Sequence, residues 1–155
     1  MKNFLQNLYK YLYDEELVKV VDKECPKPPI IPPKISNNSV IKNIEAKNKD
    51  VNAYLEVFDD ALKQADAADK KIKSGKADFL TGIPLAVKDN ILIKGKIASA
   101  ASKILENYLA TYDATAIAKL KNSGAVFLGR TNMDEFAMGG STENSAFGST
   151  KNPHD

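Results

Sequence analysis

Two short runs without any polar alternation constrain the fold of this sequence more than any other feature. Ile83-Pro84-Leu85-Ala86-Val87 stops abruptly at Lys88-Asp89-Asn90, and Ala125-Val126-Phe127-Leu128-Gly129 gives way to Arg130. A run apolar on both faces suits a strand covered on both sides, and Pro84 lies near the strand start, where a missing ladder donor matters least. Between the runs, Asp113 is placed to cap a helix over Ala114–Asn122, with Ile117 and Leu120 facing inward and Ser123-Gly124 closing it. Strand, helix, strand at this spacing is a parallel crossover unit, so the class is α/β.

The rest of the chain fills in around that unit. Phe4, Leu5, Leu8, Leu12, Leu17, Val20 and Val21 recur at helical spacing. Pro26, Pro28, Pro29, Pro32 and Pro33 then force an extended strap. Residues 1–37 therefore read as a helical extension plus Pro-rich strap, and 38–155 as a separate unit. Ser39 predicts a capped helix over Val40–Lys49, with Val40, Ile41 and Ile44 apolar. Asp50–Val57 alternates like a half-buried strand. Asp59 is placed to cap a helix over Asp60–Ser74, ended by Gly75, with Ala61, Leu62, Ala65 and Ala68 as a small-residue face. Ile91-Leu92-Ile93 and Lys94-Gly95 read as a short extended piece and a turn. Ser99–Leu109 reads as helical. Thr131 is placed to cap a short helix over Asn132–Met138, with Asp134 answering the cap and Gly139-Gly140 ending it. Ser141–Asp155 is a polar loop.

Composition removes several chemistries. The chain holds one His (His154), one Cys (Cys25) and no Trp. A zinc site of His and Cys lacks its ligands, and no disulfide can form within the chain. A Ser-His-Asp triad would depend on a His one residue from the end of the sequence. The first 79 residues carry 14 basic and 13 acidic side chains and the remainder 8 and 7, with Arg130 the only Arg. Neither part is polarised, so there is no electrostatic footprint for nucleic acid. Lys70, Lys71, Lys73 and Lys76 read as a solvated helix face. No apolar run approaches the ~18 residues of a membrane span. Met1–Asn7 lacks the apolar core of a secretory signal. These features, with the single Cys, lead us to expect a cytoplasmic location.

Lys88 is the residue most suggestive of chemistry. It stands at the carboxyl end of an apolar strand, where open α/β sheets place their crevice. Desolvation there favours the uncharged amine that a general base needs. Asp89 opposes this only if it faces the amine, and strand alternation points the two side chains apart. A salt-bridged Lys at a strand end is the competing reading. A Lys base needs a nucleophile, and Ser141, Ser145 and Ser149 are candidates. None lies in a strand-to-helix elbow, and each suits ordinary turn chemistry.

Gly82-Ile83-Pro84-Leu85-Ala86-Val87-Lys88-Asp89-Asn90 resembles the strand carrying the catalytic Lys of the amidase signature family. Ala101–Tyr108 and Tyr112-Asp113-Ala114-Thr115 fit the same family. Gly129-Arg130-Thr131-Asn132-Met133-Asp134-Glu135-Phe136-Ala137-Met138-Gly139 and Ser141–Gly148 are more specific. They are similar to the branch formed by the A subunits of aspartyl/glutamyl-tRNA amidotransferases. The resemblance is strong over 82–153 and weaker over about 39–75, and residues 1–37 do not share it.

The resemblance implies the N-terminal part of the amidase signature fold, a mixed or parallel sheet covered by helices. It implies hydrolysis of glutamine to glutamate and ammonia by a Ser nucleophile, a second Ser in a cis peptide and a Lys. Lys88 matches that Lys, and Met138 and Gly139 fall in a segment lining the substrate pocket. Both family serines lie beyond the equivalent of Asp155, so these 155 residues are expected to lack glutaminase activity alone. The amidotransferase B and C subunits are the implied partners. The B subunit uses ATP and Mg to activate the misacylated tRNA, so no cofactor is expected in this chain. The alternative is a non-catalytic binding or assembly module, or a remnant of a generic amidase.

Overall fold

The computed structural model describes residues 37–154. The apolar helix and the Pro-rich strap read from residues 1–36 lie outside the described residues. Helix α1 spans Asn37–Val51, strand β1 Tyr54–Val57 and helix α2 Ala61–Lys73. Strand β2 spans Pro84–Lys88, helix α3 Thr115–Asn122 and strand β3 Val126–Thr131. The sheet order is β1-β3-β2, with β3 parallel to β2 and antiparallel to β1. The crossover β2-α3-β3 is the unit expected from the two apolar runs.

Strand β3 is the centre because both its faces are covered. Val126 and Leu128 pack with Ile41 of α1 and with Ala61 and Ala68 of α2. Phe127, on the opposite face, packs with Phe58, Val87, Ile93 and Ile117 of α3. The expectation of a strand buried on both sides holds for β3. It fails for β2, where only Val87 is buried and Ala86 is exposed. Among the described residues β2 is an outer strand, so one of its edges meets no neighbour.

Several boundaries differ from the local signals. Helix α1 begins at Asn37, so Ser39 lies inside its first turn rather than at the cap. The Asn37 amide donates to Gly82 O at 3.3 Å, which draws the helix start onto the β2 approach. The helix then runs through Asp50 and Val51, so the alternating strand read over 50–57 shrinks to β1. Asn52 ends α1 in a left-handed conformation (φ +56°), which Asn tolerates better than most residues. Asn48 completes the turn by accepting from Tyr54 N and donating to Tyr54 O.

In α2, Ala61 and Ala68 are buried as expected, but Leu62 is 46% exposed. Neither Asp59 nor Asp60 caps it through a side chain. The Asp60 carboxylate instead meets Lys96 and Gln64. Burial raises its pKa, but the Lys96 bond overrides that and leaves it lowered. Asp113 does not cap α3 either. It accepts from Lys94 N and pairs with Lys121, and the Lys121 bond lowers its pKa.

Two segments with helical sequence signals are not helices. Ser99–Leu109 contains only one 3-10 turn, Lys103–Leu105, capped by Ser102. Asn132–Met138 contains only the 3-10 turn Glu135–Ala137, and Thr131 remains in β3. Both segments carry left-handed residues that stop helix propagation: Ala100 and Ala101 in the first, Phe136 and Ala137 in the second. Among the described residues no helix is long and apolar enough to cross a membrane.

Candidate active site

The site is built at the carboxyl ends of the parallel pair. Lys88, the last residue of β2, lies in register with Thr131, the last of β3. The chain leaves β2 into the turn at Asp89-Asn90 and leaves β3 toward Met138 and Gly139. Both segments named by the sequence thus emerge from one end of one strand pair.

Lys88 is exposed, contrary to the desolvated amine expected from its position. Its ammonium meets no hydrogen-bond or ion-pair partner among the described residues, so the salt-bridged alternative also finds no support there. Ala86, two residues earlier on the same face of β2, is exposed as well, so that face of the strand end is uncovered. Asp89 points the other way and is 1% exposed. Its Oδ1 accepts from Arg130 Nη1 at 2.7 Å and from Ser99 N at 3.2 Å. Its Oδ2 accepts from Ala101 N at 2.8 Å and from the Ser99 hydroxyl. Arg130 Nε donates to Glu56 Oε2 at 2.8 Å, tying β1 to the same cluster. Burial lowers the Arg130 pKa, but the bonds with Asp89 and Glu56 outweigh it and raise the pKa, so this cation stays charged.

The loop after β3 is organised by a second carboxylate. Asp134 accepts from the backbone N–H groups of Ser141, Thr142 and Asn144 at 3.0–3.1 Å. The Thr142 and Asn144 bonds are foremost in lowering its pKa below the usual 3.8. Gly139 passes so close that an added Cβ would clash with the Asp134 carboxylate. Met138 is 70% exposed on this loop.

The serines are held elsewhere. The Ser145 hydroxyl donates to Asn132 Oδ1 at 2.6 Å, and the Ser141 hydroxyl donates to Glu143 at 2.8 Å. Ser149 lends its carbonyl to Asn52. No bond joins any of the three to Lys88, so among the described residues no serine is paired with it. Sequence reasoning missed Asp89, Asp134, Asn132 and Ser99 as site-building groups. For Asp89, strand alternation gives only that its side chain points away from Lys88, not what that side chain binds.

The Asp134 geometry carries a pH prediction. A lowered folded pKa stabilises the loop above the unfolded value of 3.8, and that stabilisation is lost as pH falls through the folded pKa below it. The protection of the Ser141, Thr142 and Asn144 amides, measured against the intrinsic exchange rate at each pH, is therefore expected to fall only in that acid range. Asp134→Asn is expected to show the loosened loop already at neutral pH. Wild-type protection in that variant would remove Asp134 from the role.

Comparison with known proteins places this geometry. The Amidase family model matches residues 37–155. The A subunit of glutamyl-tRNA(Gln) amidotransferase from Desulfatibacillum aliphaticivorans is 54% identical over 118 residues, which are 76% of this chain and 24% of that one. The protein of the same name from Brachyspira hyodysenteriae is 46% identical over 139 residues, 87% of this chain and 28% of that one. Among solved structures, the A subunit of glutamyl-tRNA(Gln) amidotransferase from Thermotoga maritima is similar with a TM-score of 0.62 and 37% identity, over 77% of this chain and 24% of that one. Peptide amidase of Stenotrophomonas maltophilia gives a TM-score of 0.68 at 31% identity, over 79% of this chain and 28% of that one. The chain spans about a quarter of the length of the curated relatives it matches.

Proposed function

The chain belongs to the Amidase family, and from that premise we propose that it is the Lys-bearing segment of the A subunit of a tRNA-dependent amidotransferase. In this reading the assembled protein hydrolyses glutamine, and the ammonia converts Glu-tRNA(Gln) to Gln-tRNA(Gln), or Asp-tRNA(Asn) to Asn-tRNA(Asn). Lys88 is the general base for a Ser nucleophile supplied outside these residues. Met138 and Gly139 line the glutamine pocket. The amidotransferase B and C subunits are the partners, and the first of these handles ATP, Mg and tRNA.

The observation that carries this reading is the 54% identity with an amidotransferase A subunit over 118 residues, 76% of this chain. The position of Lys88 supports it: an exposed ammonium without a described partner, beside a buried and fully engaged Asp89, is able to meet a group from another part of the protein.

The test is a chimera in which the aligned 118 residues of this chain replace their counterpart in the Desulfatibacillum aliphaticivorans protein. With the B and C subunits present, it is expected to form Gln-tRNA(Gln) from glutamine. The 155-residue chain alone is expected to release no glutamate from glutamine. A folded chimera that does not hydrolyse glutamine, or a lone chain that does, contradicts the proposal.

A further inference from the structure

We propose that Asp89 is a positioning residue that couples the Lys88 strand end to the loop carrying Met138 and Gly139, acting through the left-handed pair Ala100-Ala101. The catalytic meaning of the coupling rests on the function proposed above; the coupling itself does not.

Asp89 holds three successive residues. Its carboxylate takes Ser99 N, the Ser99 hydroxyl and Ala101 N, and its carbonyl accepts from Ala100 N at 3.2 Å. Ala100 and Ala101 have φ of +49° and +52°, a conformation costing L-residues roughly 1–2 kcal/mol each. Such a pair persists only where its surroundings impose it. Here the imposing group is a carboxylate 1% exposed, itself fixed by Arg130, which Glu56 holds in turn.

The carbonyls turned outward by this geometry face the Met138 loop. Ala100 O accepts from Phe136 N at 2.9 Å, and Ala101 O accepts from Ala146 N at 3.0 Å. Those two bonds flank the Asp134-centred turn on both sides. Asp89 N also donates to Thr131 O at 3.1 Å, continuing the β2–β3 pairing past Lys88. One residue therefore fixes the direction in which Lys88 leaves the sheet and the backbone from which the Met138 loop hangs. Neither Phe136 nor Ala146 is bonded to Asp89, so the coupling to them passes through residues 99–101.

An ionised carboxylate accepts all four side-chain bonds, whereas an amide offers one oxygen and turns a donor toward the others. Asp89→Asn keeps the size and breaks the pattern. The experiment is residue-resolved amide exchange on the full 155-residue chain, with the Met138 methyl resonance as a second signal. In Asp89→Asn, exchange is expected to accelerate at least about tenfold at Phe136 and Ala146 as well as at Ser99 and Ala101, and the Met138 methyl to shift. Ser99→Ala removes a single side-chain donor and is expected to give the same pattern at smaller amplitude; it decides the matter if Asp89→Asn also loses protection throughout β3. Acceleration confined to Ser99 and Ala101 overturns the coupling.

In the chimera, a merely structural Asp89 leaves the ratio of effects on kcat and KM unspecified. The coupling predicts that Asp89→Asn lowers kcat and raises KM for glutamine together, while Lys88→Ala lowers kcat alone. Full turnover in Lys88→Ala with the exchange pattern intact defeats the role of Lys88 and leaves the coupling standing. The converse result does the opposite.

Discussion

Lys88→Ala in the chimera is expected to lower glutamine turnover by about 10²–10⁴-fold, the usual cost of removing a positioned general base. Stability is expected to change little, because the Lys88 side chain is exposed and makes no hydrogen bond or ion pair among the described residues. The two expectations together are diagnostic. A residue whose deletion silences chemistry while leaving the melting curve in place contributes through the reaction and not through the fold. Lys88→Arg is expected to be nearly as inactive, since a guanidinium does not lose its proton in the working range. KM for glutamine is expected to hold steady, because Lys88 is assigned to proton transfer and not to the pocket lining. Turnover within about tenfold of the parent removes Lys88 from the role.

Gly129→Ala is expected to produce the largest loss of stability available from a single methyl group. An ideal Cβ at this position would clash with Glu56 O and lie 3.1 Å from Val57 Cα, both backbone atoms of β1. Neither can swing aside as a side chain can. Relief requires β1 to withdraw from β3, which strains the Arg130–Glu56 pair and the buried cluster behind it. Overpacking typically costs about 1–3 kcal/mol, and a rigid backbone neighbour places this case at about 3 kcal/mol or beyond. Against a total stability of roughly 5–15 kcal/mol, that lowers the melting temperature by about 10 °C. A melting temperature within about 2 °C of the parent would show that β1 yields without cost.

The sequence discloses what nearest neighbours determine. Val126-Phe127-Leu128 has no polar residue to tolerate solvent, so β3 has to be central. Ile117 and Leu120 fix the inward face of α3, and the crossover follows from the two strands it joins. Gly129 looks like the end of an apolar run; its true constraint is a carbonyl of β1, far earlier in the chain, which no local signal carries. Ala100 and Ala101 are strong helix formers, which is why the segment has a helical signal. Their left-handed backbone is imposed by Asp89, ten to twelve positions away, and tertiary bonds override propensity there. Asp59 and Asp113 look like caps because their spacing is right. Asp113 instead answers a lysine elsewhere in the fold, as does Asp60, the residue beside Asp59.

The candidate site divides in the same way. In the sequence Lys88 stands out because a charge at the end of an apolar strand is conspicuous, and Met138 and Gly139 because of the motif around them; their roles are those proposed above. The exposure of Lys88 is not legible, because it depends on what packs over its face of the sheet. The roles of Asp89 and Asp134 are hidden for a related reason: their partners are mostly backbone N–H groups, which leave no trace in residue type.

The most direct measurement is Gln-tRNA(Gln) formation by the Lys88→Ala chimera, assembled with the B and C subunits, using either glutamine or an ammonium salt as nitrogen donor. If Lys88 serves glutamine hydrolysis, the glutamine-driven reaction is lost and the ammonium-driven reaction continues at the parent rate. Glutamine-driven formation at the parent rate, or loss of both reactions together, would contradict the account.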